Sequence, residues 1–336
     1  MIKSRNEGVI IEKSDLAFER QAVLNPAYIE VDGVGHLFYR AVSDENVSTI
    51  GYCQLKGNKV VKRLTHPLLV PEHDYEKQGL EDPRIVCLGG TYYLFYTAFD
   101  GKNAVVAYAT STDLVSFEKH GVISPRINYQ EVMNSLHDFE KRALYRSFAE
   151  STAQMRGTDV FLWEKDSFIF PKKIGGRYAL VHRVLPGIQI IYFDNFSDLV
   201  DKYWQDYFPS FSKSILLEPE QEDEIFIGGG CPPIETPDGW LLIYHTVTKK
   251  NGEKVYSASA ALLDLNDPHK VLGRLNDPLF SPEETWELVG MVNNVVFPTG
   301  ATVRNGRLYI FYGAADQVIA SRSFDLAELI TELKKR

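Results

Sequence analysis

The sequence predicts an all-β protein, a five-bladed β-propeller with a helical insertion before the third blade and a C-terminal helix. Three observations predict it. Five segments open on a residue followed by proline. Each segment then sets a turn between two apolar strands. Almost no helical periodicity separates the copies. The openings are Asn25-Pro26-Ala27, Asp82-Pro83-Arg84, Phe170-Pro171-Lys172, Cys231-Pro232-Pro233 and Phe297-Pro298-Thr299. The turns are Asp32-Gly33, Gly89-Gly90, Gly175-Gly176, Asp238-Gly239 and Asn305-Gly306, dipeptides that tight hairpins favour. Units recurring every 60 to 80 residues, roughly, with turn and strand in constant order, indicate radial repetition, which hides sheet edges. A pair of β-sandwiches would not explain that order.

In chain order, residues 1–24 read as a lead-in, polar and then mixed. The second strands follow as Leu37-Phe38-Tyr39-Arg40, Leu94-Phe95-Tyr96-Thr97, Leu180-Val181-His182-Arg183, Leu242-Ile243-Tyr244-His245 and Ile310-Phe311-Tyr312-Gly313. Two segments break the repeat. Residues 128–160 read as one or two inserted helices, of a length that caps a site, forms an oligomer contact or merely elaborates the surface, and 324–336 as a terminal helix. The whole of 1–336 is expected to be a single propeller domain.

Composition narrows the function. The net charge of -9, with no basic run beyond Lys334-Lys335-Arg336, excludes a nucleic-acid surface. Aromatic residues make up 12% of the chain, which suits strands and sugar-stacking surfaces alike. No apolar leader core opens the chain and no stretch reaches the length of a membrane span, so a soluble, cytoplasmic protein is expected. Cys53, Cys87 and Cys231 are widely spaced and odd in number, which fits reduced thiols better than disulfides or a zinc site. No metal or organic cofactor is expected.

Residues in one column of a radial repeat share a radius and a height. The column after the aromatic of the second strand holds Arg40, Thr97, Arg183, His245 and Gly313; the column at the mouth of the first strands holds Asn25 and Asp82, with Lys165-Asp166 near the third opening. Charge in such strands is costly unless it is paired, lines a wet pocket or binds an anion. The stretch Gly79-Leu80-Glu81-Asp82-Pro83-Arg84 adds two adjacent carboxylates and an arginine. A carboxylate facing basic groups suits glycoside chemistry, in which an acid protonates the leaving oxygen and a nucleophile arrives from the opposite face. Water as nucleophile would need a second carboxylate as base; phosphate would need cations, and Lys165, Arg183 and His245 would serve. The structural alternative for each basic residue is an ion pair with a neighbouring blade.

Taken together, Asn25-Pro26-Ala27, the Gly79 to Arg84 stretch, Lys165-Asp166 with Phe170-Pro171 and His182-Arg183, Gly228 to Ile234 with Gly239-Trp240 and Tyr244-His245, and Tyr312 to Asp316 resemble glycoside hydrolase family 130, five-bladed propellers acting on β-mannosides. The resemblance runs from Asn25 to about Ser323. It implies that Asp82 is the general acid, passing its proton through a hydroxyl of the bound mannose. It also implies that Asn25, Arg40 and Asp316 hold the sugar whose bond is cut, with Glu81, Arg84 and Tyr244 as further substrate-binding residues. Lys165, Arg183 and His245 match the phosphate cradle of the family's phosphorylases. Phe226 stands where many of those carry lysine, and the acidic run Glu222-Asp223-Glu224 precedes it. The expectation is an inverting β-mannoside phosphorylase that takes manno-oligosaccharide and inorganic phosphate to α-mannose 1-phosphate. The alternatives are a β-mannoside hydrolase using Glu222 or Glu224 as base, and a non-catalytic carbohydrate-binding propeller.

Overall fold

The computed structural model describes residues 2–135 and 139–335. It is all-β, mostly sheet with few helices. After β1 (Ser4–Ile11), a first meander comprises β2 (Ala22–Val31), β3 (Val34–Val42), β4 (Ser48–Lys56) and β5 (Lys59–Arg63). A second comprises β6 (Gly79–Leu88), β7 (Thr91–Phe99), β8 (Ala104–Ser111) and β9 (Glu118–Val122). Helices α1 (Tyr129–Ser135) and α2 (Phe139–Arg156) come next. The third meander is β10 (Phe168–Ile169), β11 (Tyr178–His182), β12 (Ile188–Phe193) and β13 (Ile215–Leu217), with α3 (Asp201–Tyr207) before its last strand. The fourth has β14 (Glu224–Gly229) and β15 (Ile234–Thr236) against one partner, β16 (Gly239–Lys250), then β17 (Glu253–Leu263) and β18 (Val271–Arg274). After α4 (Thr285–Leu288), the fifth has β19 (Val296–Arg304), β20 (Arg307–Ala314) and β21 (Val318–Asp325), and α5 (Leu326–Leu333) follows.

Four of the five expected hairpin turns have both residues in the left-handed region, as at Asp32-Gly33, where φ is 50° and 75°. At Asp238-Gly239 only the glycine is left-handed, at φ 148°. The supposed lead-in is a strand. β1 lies antiparallel to β21, from Ser4 opposite Phe324 to Ile11 opposite Ile319, and supplies the fourth strand of the fifth meander's sheet. Its outer half is solvent-exposed, so it lacks the alternation that would have marked it.

The apolar cores lie between successive meanders. One joins the first and second, as Phe38 and Ile50 meet Leu80 and Leu94. Another runs from Phe95 through Phe168 and Ile190 to Trp240, joining the second, third and fourth. A third joins the fourth and fifth, and a fourth returns from Phe311 and Ile319 to Tyr28 and Leu37 of the first. Helix α5 is capped by Asp325, which accepts from the Glu328 N–H at 3.0 Å. It buries Leu329, Ile330 and Leu333. A side chain at Gly273 would overlap the Leu333 carbonyl, so glycine is needed for that close approach.

A polar brace recurs beneath the second strands. The Tyr39 hydroxyl donates to Glu19 at 2.8 Å, with Arg63 on the same carboxylate at 2.9 Å. The Tyr96 hydroxyl donates to Glu76 at 2.7 Å, with Lys119 at 2.8 Å. The Tyr312 hydroxyl donates to Glu287 at 2.5 Å. In the fourth meander Arg274 joins Tyr244, at 2.7 Å, to Glu224, at 3.8 Å. Glu19, Glu76 and Glu287 are fully buried, so losing a partner would strand a charge in the core.

Candidate active site

At the mouth of the first strands the chain breaks register. Between the pairs Leu24 with Arg40 and Ala27 with Phe38, Asn25 takes φ 48°; between Glu81 with Thr97 and Arg84 with Phe95, Asp82 takes φ 49°. Asn and Asp are the non-glycine residues best suited to left-handed φ, and the proline that follows each has no N–H to leave unpaired in the bulge. Such bulges re-aim a side chain out of the ladder. Asp166 and Asp316 are also left-handed, at φ 60° and 52°.

These residues face one cavity of about 360 Å³, of a size to hold a small ligand. Asn25, Arg40, Asp82, Lys165, Arg183, His245 and Asp316 all line it. Asp82 Oδ1 accepts from Asn25 Nδ2 at 2.7 Å and lies 3.5 Å from Arg40 Nη1. Gly313 explains its own place in the column, since a side chain there would overlap Asn25. Asp316 is pushed up to about 6 by burial, with Asp82 and Glu81 adding to the rise against the pull of Arg40 and Lys165.

Glu81 and Arg84 lie behind the wall. Glu81 accepts from Arg40 Nη2 and from Lys165 Nζ, each at 2.9 Å. Burial raises its pKa, but these two cations prevail and hold it below the usual carboxylate range. Arg84 spends its guanidinium on Asp166 Oδ1 at 3.0 Å and on the carbonyls of Asp82, Gly229 and Gly230. Both residues therefore brace the site rather than line it. Tyr244, expected to bind substrate, is also off the cavity: its hydroxyl is engaged by Arg274 in the core. Thr97 is buried and does not line the cavity either. The sequence placed these residues by column and motif, but successive strand residues point to opposite faces, so that of the β16 neighbours Tyr244 and His245 only His245 reaches the cavity.

The basic wall is partly neutralised. Arg183 Nη1 lies 2.5 Å from Asp166 Oδ2. Burial raises Asp166, yet Arg183 and Arg84 outweigh it and keep the carboxyl below its ordinary range. The Nε of Arg183 has no hydrogen-bond partner among the described residues, nor has either ring nitrogen of His245. Burial drives His245 down to about 3, with Arg183 and Arg84 opposing its protonation. Near neutrality it offers a hydrogen bond and no charge.

The inserted helices contribute Tyr129, Thr152, Met155 and Arg156 to the wall, and Trp163 follows them. The sequence reading missed these, along with Lys254 and Tyr256 from β17; the Trp163-Glu164-Lys165 string, aromatic beside charge, was the available signal. Lys254 Nζ lies 5.5 Å from the centre of the Phe226 ring and Arg183 Cζ 5.9 Å from it. Neither Glu222 nor Glu224 lines the cavity: Glu222 is exposed, and Glu224 accepts the Glu220 and Gln221 N–H groups at 2.7 and 3.2 Å. Among the described residues, no cluster of three or more His, Cys, Asp or Glu could hold a metal ion, and no helix is long and apolar enough to cross a membrane.

A family profile described as beta-1,4-mannooligosaccharide phosphorylase, that of glycoside hydrolase family 130, matches residues 4–335. The chain belongs to glycoside hydrolase family 130. Within the family it is 34% identical to 1,2-beta-oligomannan phosphorylase of Thermoanaerobacter sp. (strain X514), over 96% of each chain. It is 33% identical to the beta-1,2-mannobiose phosphorylase of the same organism, over 93% of this chain and 92% of the other. Its fold matches the beta-1,2-mannobiose phosphorylase from Listeria innocua, solved with beta-1,2-mannobiose, with a TM-score of 0.71 at 24% identity over 94% and 93% of the two chains.

Proposed function

We propose that the protein is an inverting β-mannoside phosphorylase. The observation that carries this reading is the pairing, in one cavity, of Asp82 with a wall of Lys165, Arg183 and His245 whose donors are not all satisfied among the described residues. Phosphate is already nucleophilic, so it needs cations and donors rather than a base. Its oxygen attacks the anomeric carbon from the face opposite the leaving group. The new C–O bond forms as the glycosidic C–O bond breaks. The bonding pair leaves on the glycosidic oxygen, which takes the Asp82 proton through a hydroxyl of the bound mannose. The products are α-mannose 1-phosphate and a shortened mannoside. Asn25, Arg40 and Asp316 hold the mannose that is transferred.

The hydrolase reading is weaker because the loop offered for its base, at Glu222 and Glu224, lies off the cavity. The cyclic succession of cores, from first meander to fifth and back, supports a single five-bladed propeller with its axis at the site. The 128–160 insertion then caps the cavity. Phosphorolysis keeps the bond energy in a sugar phosphate, which suits a cytoplasmic enzyme. The test is to incubate the protein with β-1,2- and β-1,4-mannobiose, with and without phosphate, and to identify the products by NMR. Phosphate-dependent α-mannose 1-phosphate is expected, with β-1,2 linkages favoured on the strength of the relatives' names. Free mannose released at full rate without phosphate would replace this reading with hydrolysis.

A further inference from the structure

The third meander carries the recurring brace in altered form. His182 stands where the others have tyrosine, and its Nδ1 lies 3.0 Å from Glu164 Oε1. A carboxylate only accepts, so Nδ1 carries a proton, and Nε2 is hydrogen-bonded to the Tyr207 hydroxyl of α3, at 3.0 Å. The decisive difference is the second carboxylate oxygen. Glu76, Glu224 and Glu287 each use an oxygen to accept two N–H groups of the turn just before them, for Glu76 those of Glu72 and His73. Glu164 instead accepts from the N–H of Arg183, at 3.2 Å. It is fully buried, and Lys165 and Asp166 follow it directly in the chain.

We propose that Glu164, His182 and Tyr207 form a positioning unit for the anion-binding wall, fixing Arg183 and Lys165 relative to each other from beneath. This rests on the reading of that wall as a phosphate site. In the second, fourth and fifth meanders the carboxylate secures its own turn; here it ties the segment that carries Lys165 to the one that carries Arg183. The residues touch no substrate, so their effect passes through Arg183 and Lys165.

The test compares Tyr207→Phe, which removes one hydrogen bond from the unit, with Tyr96→Phe, which removes one hydrogen bond from the brace of the second meander. Inorganic phosphate is titrated calorimetrically into each intact protein, and thermal midpoints and kinetics are measured alongside. Tyr207→Phe should weaken phosphate about five-fold, the effect of one ordinary hydrogen bond. Maximal turnover and the mannoside KM should change little. Tyr96→Phe should lower the thermal midpoint comparably and leave phosphate affinity unchanged. Equal phosphate affinity in both variants would overturn the proposal while leaving the phosphate site standing. Absence of phosphate binding by the unsubstituted protein would overturn both. Should Tyr207→Phe fail to fold, Glu164→Gln supplies the same comparison, because His182 and Arg183 use different oxygens of Glu164 and the amide replaces one of them with a donor.

Discussion

The two sides of the cavity balance charge in opposite ways. On the side of Asn25, Arg40, Asp82 and Asp316, carboxylates predominate: with Glu81 behind the wall, three of them share Arg40 and Lys165, and Asp316 is left high at about 6. On the side of Arg183 and His245, one carboxylate, Asp166, is divided between two arginines and stays low. On the proposed function the first side holds and delivers a proton and the second holds an anion. The polarity of each side is set by which residues are turned inward: the bulged Asn25 and Asp82 on the first, and Arg183 and His245, which lie outside those bulges, on the second.

The comparison breaks most sharply at Asp82. Asp82→Asn keeps the shape and the Asn25 neighbour but cannot donate the proton, so turnover should fall by about 10² to 10⁴. Mannoside binding and the thermal midpoint should stay near those of the unsubstituted protein; turnover like that protein's would remove Asp82 from the mechanism. Next in size is Arg183→Ala. It should raise the phosphate KM by roughly 10- to 100-fold, as expected for a charge-assisted contact, with the mannoside KM within about twofold. An equal rise in both constants would mean that the two sides are not separate.

His245→Ala should act in the same direction but less, about five-fold, because the imidazole contributes a hydrogen bond and no charge. With the His245 pKa near 3, the dependence of phosphate KM on pH between 5 and 8 should match that of the unsubstituted protein once phosphate's own ionisation is allowed for. A lost inflection near pH 6.5 would show that His245 is charged in the working enzyme.

The smallest effect concerns Asp316. Its folded pKa of about 6 exceeds the ordinary 3.8, so the fold favours the protonated acid, and stability falls as pH rises through that window. Asp316→Asn should therefore gain thermal midpoint relative to the unsubstituted protein between pH 4.5 and 7. A constant difference across that range would show that the carboxyl titrates normally.

Much of this arrangement was legible in the sequence. Asn25-Pro26 and Asp82-Pro83 announce their bulges because few residues tolerate that backbone, and the turn dipeptides mark their hairpins for the same reason. β1 was not legible, since an edge strand with one exposed half has no strong period. Glu19, Glu76 and Glu164 each stand the same distance ahead of their proline, a regularity visible in the sequence, but nothing local says that those carboxylates are buried. Tyr244 and Arg84 were misplaced because motif membership does not say which face of a strand a side chain takes. Trp163, Lys254 and Tyr256 reach the cavity only through tertiary packing.

The pairing of β1 with β21 carries a consequence for biosynthesis. Residues 4–11 leave the ribosome long before their partners at 318–325. The sheet of the fifth meander, with the Asp316 corner of the cavity beside it, cannot be completed before residues 318–325 are made. Partners so far apart in sequence also make this pairing a step of high chain-entropy cost. A circular permutant joining the old termini and opening at the exposed Asn251-Gly252 turn would make β1 and β21 close neighbours in the chain, and closure should then come early.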